Sequence, residues 1–241
     1  FEETELARQA EMKKRGKDPI AIFSSDPPKY GFMNQEISKY LIEAAEKGIH
    51  GYDAPKGELV NAICGWEKKY GNVDYSPGDI IPAEGVAGAW FLVHYSVLDA
   101  YAGDEVCVLE PAHYWWTPLP VAEGLHARGI PIPCREEEEW QPDTDILRKS
   151  INSRTKYIVV DNPCNPTGGV YSEKKLKEIV DIAGENDVVI VSDEMYRMIT
   201  YDGLKLKSMA EIAGDVPVIV LNGMSKFFMR TGWRFGYVAL H

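Results

Sequence analysis

The sequence predicts an α/β fold with a mostly parallel central sheet sandwiched by helices. From Ile80 onward, short apolar runs alternate with segments of helical composition, and strand-helix-strand repetition is typical of a parallel sheet. The apolar runs are continuous and rich in β-branched residues, which is typical of strands buried on both faces. The predicted strands are Ile80–Ile81, Glu105–Leu109, Ile130–Ile132, Tyr157–Val160, Val188–Val191 and Val218–Leu221.

Helical composition fills the stretches before and between these strands. Glu2–Arg15 ends at Gly16 and Gln35–Lys47 ends at Gly48, and glycine commonly stops a helix. The other predicted helices are Glu58–Tyr70, Val86–Ala100, Asp145–Lys149 and Glu173–Gly184.

The charge of the chain argues against nucleic acid or a membrane as its partner. The 241 residues carry a formal net charge of −11 at pH 7, whereas sequence-independent binding to nucleic acid or to an anionic membrane needs a basic face. The longest apolar-leaning run, Val86–Leu98, is too short to span a bilayer. Residues Phe1–Arg15 lack the apolar region of a signal peptide. We therefore expect a cytoplasmic protein.

The cysteines favour buried thiols in a reducing compartment. They are widely spaced and form no Cys-x-x-Cys pair, so neither a disulfide framework nor a metal site is expected. The four are Cys64, Cys107, Cys134 and Cys164.

Polar residues that follow the predicted strands are the candidates for function, because ligands of open α/β sheets bind beyond the carboxyl ends of the strands. Asp193 follows Val188–Val191, although a single aspartate there is better explained as a turn cap. The loop Asp161–Gly169 follows Tyr157–Val160, and its two Asn-Pro steps and glycine pair indicate a rigid, non-helical conformation.

Two basic residues and the start of a helix are further candidates for function. Lys226 follows the strand Val218–Leu221, with Arg234 eight residues later, and such a lysine taken alone is more often a solvated loop residue. Gly85 opens a helix whose free N–H groups suit a phosphate, or it only makes the turn. Together these groups match the needs of pyridoxal 5′-phosphate: an amine for the aldehyde, a carboxylate for the ring nitrogen, donors for the phenolate oxygen and a cradle for the phosphate.

Three motifs carry a family resemblance, and their order and spacing are typical of that family. They are Asn165–Gly168, Ser192–Tyr196, and Ser225–Lys226 followed by Thr231–Tyr237. Over essentially its whole length, the chain resembles the class I/II aminotransferases, which are fold-type-I pyridoxal-phosphate enzymes. The segments Trp140–Asp143 and Val216–Lys226 look most similar to those of alanine aminotransferase-type enzymes of archaea and bacteria.

The resemblance implies catalytic roles for Lys226, Asp193 and Tyr196 and a cofactor-binding role for Asn165. Lys226 would form a Schiff base with the cofactor and shuttle the substrate proton. Asp193 would pair with the pyridinium nitrogen of the cofactor. Tyr196 and Asn165 would bind its phenolate oxygen.

The same resemblance implies further cofactor-binding residues. Arg234 would bind the phosphate, together with the backbone N–H groups of Val86 and Ala87. Tyr52 would reach the phosphate of a neighbouring subunit, which implies a homodimer with shared sites. His113 would stack on the pyridine ring; Tyr114, one residue away, is the alternative, and a surface histidine at a helix start is another.

The chain departs from the family pattern at several places, among them Gly223 and the end of the chain. Gly223 stands where relatives often have a hydroxyl residue that bonds the phosphate. Relatives also continue beyond the position of His241 into a C-terminal small domain, which carries the arginine that binds the substrate carboxylate and finds no match here. By the resemblance, residues 1–48 form an N-terminal arm and part of the small domain, and residues 49–241 form the large cofactor-binding domain.

The expected function is pyridoxal-phosphate-dependent transamination between an amino acid and a 2-oxo acid such as 2-oxoglutarate. Alanine is the first expected donor, and aspartate or an aromatic amino acid the next. Two alternatives stay open: a cystathionine-type C–S β-lyase of the same fold, and a non-catalytic cofactor-binding regulatory module.

Overall fold

The computed structural model describes residues 2–17, 34–49, 56–99, 102–112 and 127–241. The chain divides into two compact units, Phe1–Lys47 and Gly48–His241. The first unit holds helix α1, Glu2–Lys14, and helix α2, Gln35–Glu46. The side chain of Asn34 caps α2 by accepting the N–H of Glu36 at 2.9 Å.

A seven-stranded sheet forms the centre of the described part of the second unit, in the order β1-β7-β6-β5-β4-β2-β3. Strands β2 to β6 pair in parallel, and β7 pairs antiparallel with both β1 and β6. The strands are β1 Ile80–Glu84, β2 Glu105–Glu110, β3 Arg128–Pro133, β4 Thr155–Asp161, β5 Val189–Asp193, β6 Val218–Gly223 and β7 Phe235–Leu240. The prediction of a mostly parallel sheet is confirmed.

Helices cover both faces of this sheet. They are α3 Lys56–Tyr70, α4 Gly85–Val97, α5 Thr144–Ser150, α6 Glu173–Asn186 and α7 Met209–Ala213. Ile158 and Val160 of β4 pack in a core cluster with residues of α3, α5, α6 and α7. Tyr157 and Val159, which alternate with them along β4, pack in a second cluster with α4. This alternation explains the continuous apolar runs, because both faces of each central strand are buried.

Some sequence-based boundaries were wrong. Helix α4 ends at Val97 rather than Ala100, because Leu98 is already in an extended conformation. Strand β7 and helix α7 were not predicted at all.

Of the cysteines expected to be buried, Cys64 is partly exposed, whereas the other three are buried free thiols. Among the described helices, none combines the length and apolar character needed to cross a membrane.

A buried ionic network lies beneath the carboxyl edge of the sheet. The Arg197 guanidinium donates to Glu67 of α3 at 2.7 Å and also to Glu194, and all three side chains are at most 3% exposed. Glu194 further accepts the Ser208 hydroxyl at 2.9 Å, and Glu67 accepts the Tyr237 hydroxyl. Each buried carboxylate is thereby paired with a charge and bonded to neutral donors, as buried charges require.

We expect Arg197→Met to lower the free energy of unfolding by about 3–5 kcal/mol, because it leaves two buried carboxylates without their cation. The matched control is Arg148→Met, which breaks an ion pair with Glu185 in which both side chains are half exposed. Such a surface pair contributes at most about 1 kcal/mol. Urea denaturation of the two variants measures both costs, and equal losses would contradict the structural importance of the network.

Candidate active site

A cavity of about 250 Å³ opens at the carboxyl edge of the parallel strands, beside the first turn of α4. Strands β4, β5 and β6 end there at Asp161, Asp193 and Gly223. The side chains that follow parallel strands converge at one edge of the sheet, which is where α/β proteins bind ligands. The lining residues are Val86, Ala87, Trp90, Phe91, Asp161, Asn165, Asp193, Met195, Tyr196, Ser225, Lys226, Thr231 and Arg234.

The seven sequence-predicted site residues within the described part of the chain all line this one cavity. They are Lys226, Asp193, Asn165, Tyr196, Arg234, Val86 and Ala87. The roles assigned to them stay predictions. The other two predicted residues, Tyr52 and His113, lie outside the described residues, as does the alternative Tyr114.

Asp193 is held at the end of β5 with its carboxylate towards the cavity. Its Oδ1 accepts the backbone N–H of Met195 at 3.1 Å, which fixes the turn after the strand. Burial raises the pKa of Asp193 to about 6, against the opposing effects of the Met195 N–H and the Lys226 ammonium. The carboxylate is therefore ionised at neutral pH and can pair with a cation inside the cavity.

Lys226 extends from the loop that follows β6. Its Nζ lies 5.8 Å from the centre of the Tyr196 ring and makes no hydrogen bond or ion pair with a described residue. The Asn165 amide lies 3.5 Å from the Tyr196 hydroxyl, at the outer limit of a hydrogen bond. The amine of Lys226 therefore shares a cavity with an amide and a phenol that can both donate hydrogen bonds.

The opposite side of the cavity can hold an anion. Helix α4 begins at Gly85 without a side-chain cap, so the first N–H groups of the helix keep their capacity to donate. The Arg234 guanidinium lies at this helix start, where it donates to the carbonyl oxygens of Thr231 at 2.8 Å and Glu84 at 3.4 Å. A guanidinium beside an uncapped helix N-terminus favours a phosphate or carboxylate.

Close backbone approaches explain the glycines around this anion site. A Cβ on Gly236 would lie 2.7 Å from the backbone nitrogen of Val86, so β7 fits against the start of α4 only with glycine. A Cβ on Gly223 would lie 2.5 Å from the carbonyl oxygen of Phe235 and 2.8 Å from the Cα of Gly236. Any side chain at residue 223 would therefore collide with β7, and a hydroxyl residue has no space there.

Sequence reasoning missed six of the lining residues: Asp161, Trp90, Phe91, Met195, Ser225 and Thr231. Asp161 carried a usable signal, because it follows the predicted strand Tyr157–Val160 as closely as Asp193 follows its own strand. Ser225 and Met195 lie inside the recognised motifs. Trp90 and Phe91 gave no signal, because an apolar residue in an apolar helix does not reveal which face meets a cavity.

Known proteins resemble the chain in sequence. The family model described as aminotransferase class I and II matches residues 28–241. An aspartate aminotransferase of Pyrococcus abyssi is 36% identical over 239 residues, and a glutamate-pyruvate aminotransferase, AlaA, of Haemophilus influenzae is 30% identical over 234 residues. The matches cover 98% and 95% of this chain but only 60% and 56% of those two proteins.

Solved structures of aminotransferases also resemble the fold of this chain. The alanine aminotransferase from Pyrococcus furiosus matches with a TM-score of 0.88 and 37% identity, over 98% of this chain and 59% of that one. An aminotransferase from Escherichia coli matches with a TM-score of 0.85 and 31% identity, over 98% of this chain and 58% of that one. The chain thus spans about 60% of the length of these relatives, and it belongs to the class I and II aminotransferase family.

Proposed function

We propose that this protein transfers amino groups between an amino acid and a 2-oxo acid with pyridoxal 5′-phosphate, the cofactor used by enzymes of its family. One observation carries the proposal: a single cavity is lined by a free lysine amine, a partly buried aspartate and an arginine beside an uncapped helix N-terminus. These are the three kinds of group that the aldehyde, the ring nitrogen and the phosphate of this cofactor need.

The anion site fits the phosphate of the cofactor. Arg234 provides a planar, permanently charged donor, and the N–H groups of Val86 and Ala87 provide neutral ones. Because a Cβ on Gly223 would meet the backbone of β7, the usual hydroxyl contact from that position is replaced by backbone and guanidinium donors.

The acidic side of the cavity fits the ring. Asp193 would hold the protonated ring nitrogen, and its raised pKa of about 6 leaves it ionised at neutral pH for that role. Tyr196 and Asn165 would donate to the phenolate oxygen. Burial raises the pKa of Tyr196 to about 12, so its hydroxyl keeps its proton and can donate.

Lys226 would act both as the amine that holds the cofactor and as the base. Bound pyridoxal phosphate supplies an aldehyde that condenses with amines and a ring that withdraws electrons from the substrate Cα. Lys226 Nζ would also accept the proton that leaves the substrate Cα. Asp193 would keep the ring nitrogen protonated, and a protonated ring favours loss of the Cα proton.

Alanine is the donor we propose first, with aspartate or an aromatic amino acid next and 2-oxoglutarate as the acceptor. The similarity to the alanine aminotransferase of Pyrococcus furiosus supports alanine, and the 36% identity with an aspartate aminotransferase supports aspartate. A homodimer with Tyr52 crossing between subunits, and the assignment of residues 1–48 to an arm and part of a small domain, belong to the same proposal.

We expect Gly85→Ala to lower the affinity for inorganic phosphate about tenfold or more. The added Cβ would lie 2.5 Å from the Arg234 Nη2 and displace the guanidinium, at a position with φ of +72°. Gly103→Ala is the control, since it has a similar φ of +67° and no atom within 4 Å of the added Cβ. Calorimetric titration with phosphate compares the two. Equal affinities, with equal losses of stability, would show that Arg234 is not part of an anion site.

We expect Lys226→Ala to abolish the absorbance band that pyridoxal phosphate acquires when it is bound to a protein amine. The reason is that alanine leaves no amine near Tyr196 to condense with the aldehyde. Lys174→Ala, which removes an exposed lysine with its Nζ 3.9 Å from Glu178, is the control and should keep the wild-type spectrum. An unchanged spectrum in Lys226→Ala would refute the proposed role of Lys226.

A panel of amino donors with 2-oxoglutarate should give glutamate fastest from alanine, by about tenfold over aspartate and tyrosine. Pyruvate and glutamate are measured together, because transamination of alanine yields them in equal amounts. Release of pyruvate and ammonia from cystathionine, without any glutamate, would instead identify the lyase that shares these cofactor residues.

A further inference from the structure

Asp161 is a second aspartate in the wall of the same cavity, and the proposed function gives it no role. It ends β4 as Asp193 ends β5, and the two are paired in the register of these neighbouring parallel strands. The residue is only 3% exposed. Its Oδ2 accepts the backbone N–H of Asn165 at 3.1 Å, whereas its Oδ1 is buried and without a hydrogen-bond partner in the described structure.

An ionised carboxylate does not suit this position. A buried charge needs a counter-charge and several hydrogen bonds, but Asp161 has one backbone donor and a like-charged neighbour. The positive charge of Lys226 lowers the pKa of Asp193 but has no such effect on the pKa of Asp161. The other ionisable groups around it in the described part of the chain, Tyr196, Cys164 and Tyr171, carry no positive charge in either of their protonation states.

Of the two aspartates, Asp161 is therefore the protonated acid and Asp193 the ionised carboxylate. Burial raises the pKa of Asp161 well above its usual range, and the charge of Asp193 raises it further. When two carboxyl groups occupy one site, the proton stays on the one with the poorer ionic environment. Since Oδ2 accepts from Asn165, the proton belongs on Oδ1, the atom without a partner.

We propose that Asp161 is a further residue of the cofactor site, present as an uncharged carboxylic acid whose Oδ1 hydroxyl donates a hydrogen bond to the group bound in the cavity. Asp193 is then the one negative charge on the described wall of the cavity. This inference rests on the proposed function for the identity of the bound group, but the protonation of Asp161 does not depend on it.

The proposal makes the same substitution harmless at one aspartate and harmful at the other. Asparagine at residue 161 keeps an acceptor for the Asn165 N–H and a donor for the cavity, so it reproduces the uncharged acid. Asparagine at residue 193 removes the negative charge that holds a protonated ring nitrogen. Leucine at residue 161 keeps the approximate volume and removes the donor.

Pyridoxal phosphate affinity, followed by absorbance in the complete protein at neutral pH, tests this contrast. We expect Asp161→Asn to bind within about threefold of wild type and Asp161→Leu to bind about tenfold more weakly, as the loss of one hydrogen bond predicts. Asp193→Asn should change the absorbance spectrum itself. Equal affinities of Asp161→Leu and wild type, or an equally large loss in Asp161→Asn, would overturn the proposal.

Infrared spectroscopy of the cofactor-free protein tests the protonation directly and does not require Asp161→Leu to fold. At neutral pH, the carbonyl band of a protonated carboxylic acid should disappear in Asp161→Asn and persist in Asp193→Asn. Its persistence in Asp161→Asn would refute the assignment. If Lys226→Ala keeps the wild-type spectrum with pyridoxal phosphate, the proposed function fails instead, whatever the infrared result.

Discussion

The contact of the Arg197 guanidinium with two buried carboxylates fixes the turn that follows β5, at the carboxyl edge of the sheet. Glu194 and Arg197 alternate along the chain with Asp193 and Tyr196, so one short turn presents one pair to the interior and the other pair to the cavity. Glu67 reaches the same guanidinium from α3 and also accepts a tyrosine hydroxyl from β7. The turn that carries Asp193 is therefore connected through Arg197 and Glu67 to helix α3 and to strand β7.

The cavity has opposite charges at its two ends, and this separation follows from the topology. The parallel strands β4 and β5 each end in an aspartate at this edge, and Asp193 gives that side of the cavity its negative charge. Strand β7 runs the other way, so its beginning, rather than its end, lies at this edge and brings Arg234 next to the start of α4. A molecule with a cationic ring at one end and a phosphate at the other matches this polarity.

How far the fold and the site were predictable depends on the range of the interactions involved. Buried parallel strands such as β4 were predictable because burial on both faces leaves a continuous apolar run. Strand β7 was not, because it begins inside a polar motif and its antiparallel pairing depends on distant partners. Lys226 and Asp193 were candidates because of their places after strands, and the family resemblance assigned their roles. The Glu67–Arg197 pair spans 130 positions of sequence and leaves no local pattern.

The absence of space for a side chain at Gly223 restricts how this protein can change one substitution at a time. The atoms that block residue 223 are backbone atoms of Phe235 and Gly236, which no rotamer change can move aside. A serine that would add a phosphate ligand thus becomes acceptable only after β6 and β7 have moved apart. That movement would disturb the start of α4, against which Gly236 rests. The effect of a substitution at Gly223 therefore depends on the residue at Gly236, so we expect the two glycines and the anion site to change together in evolution.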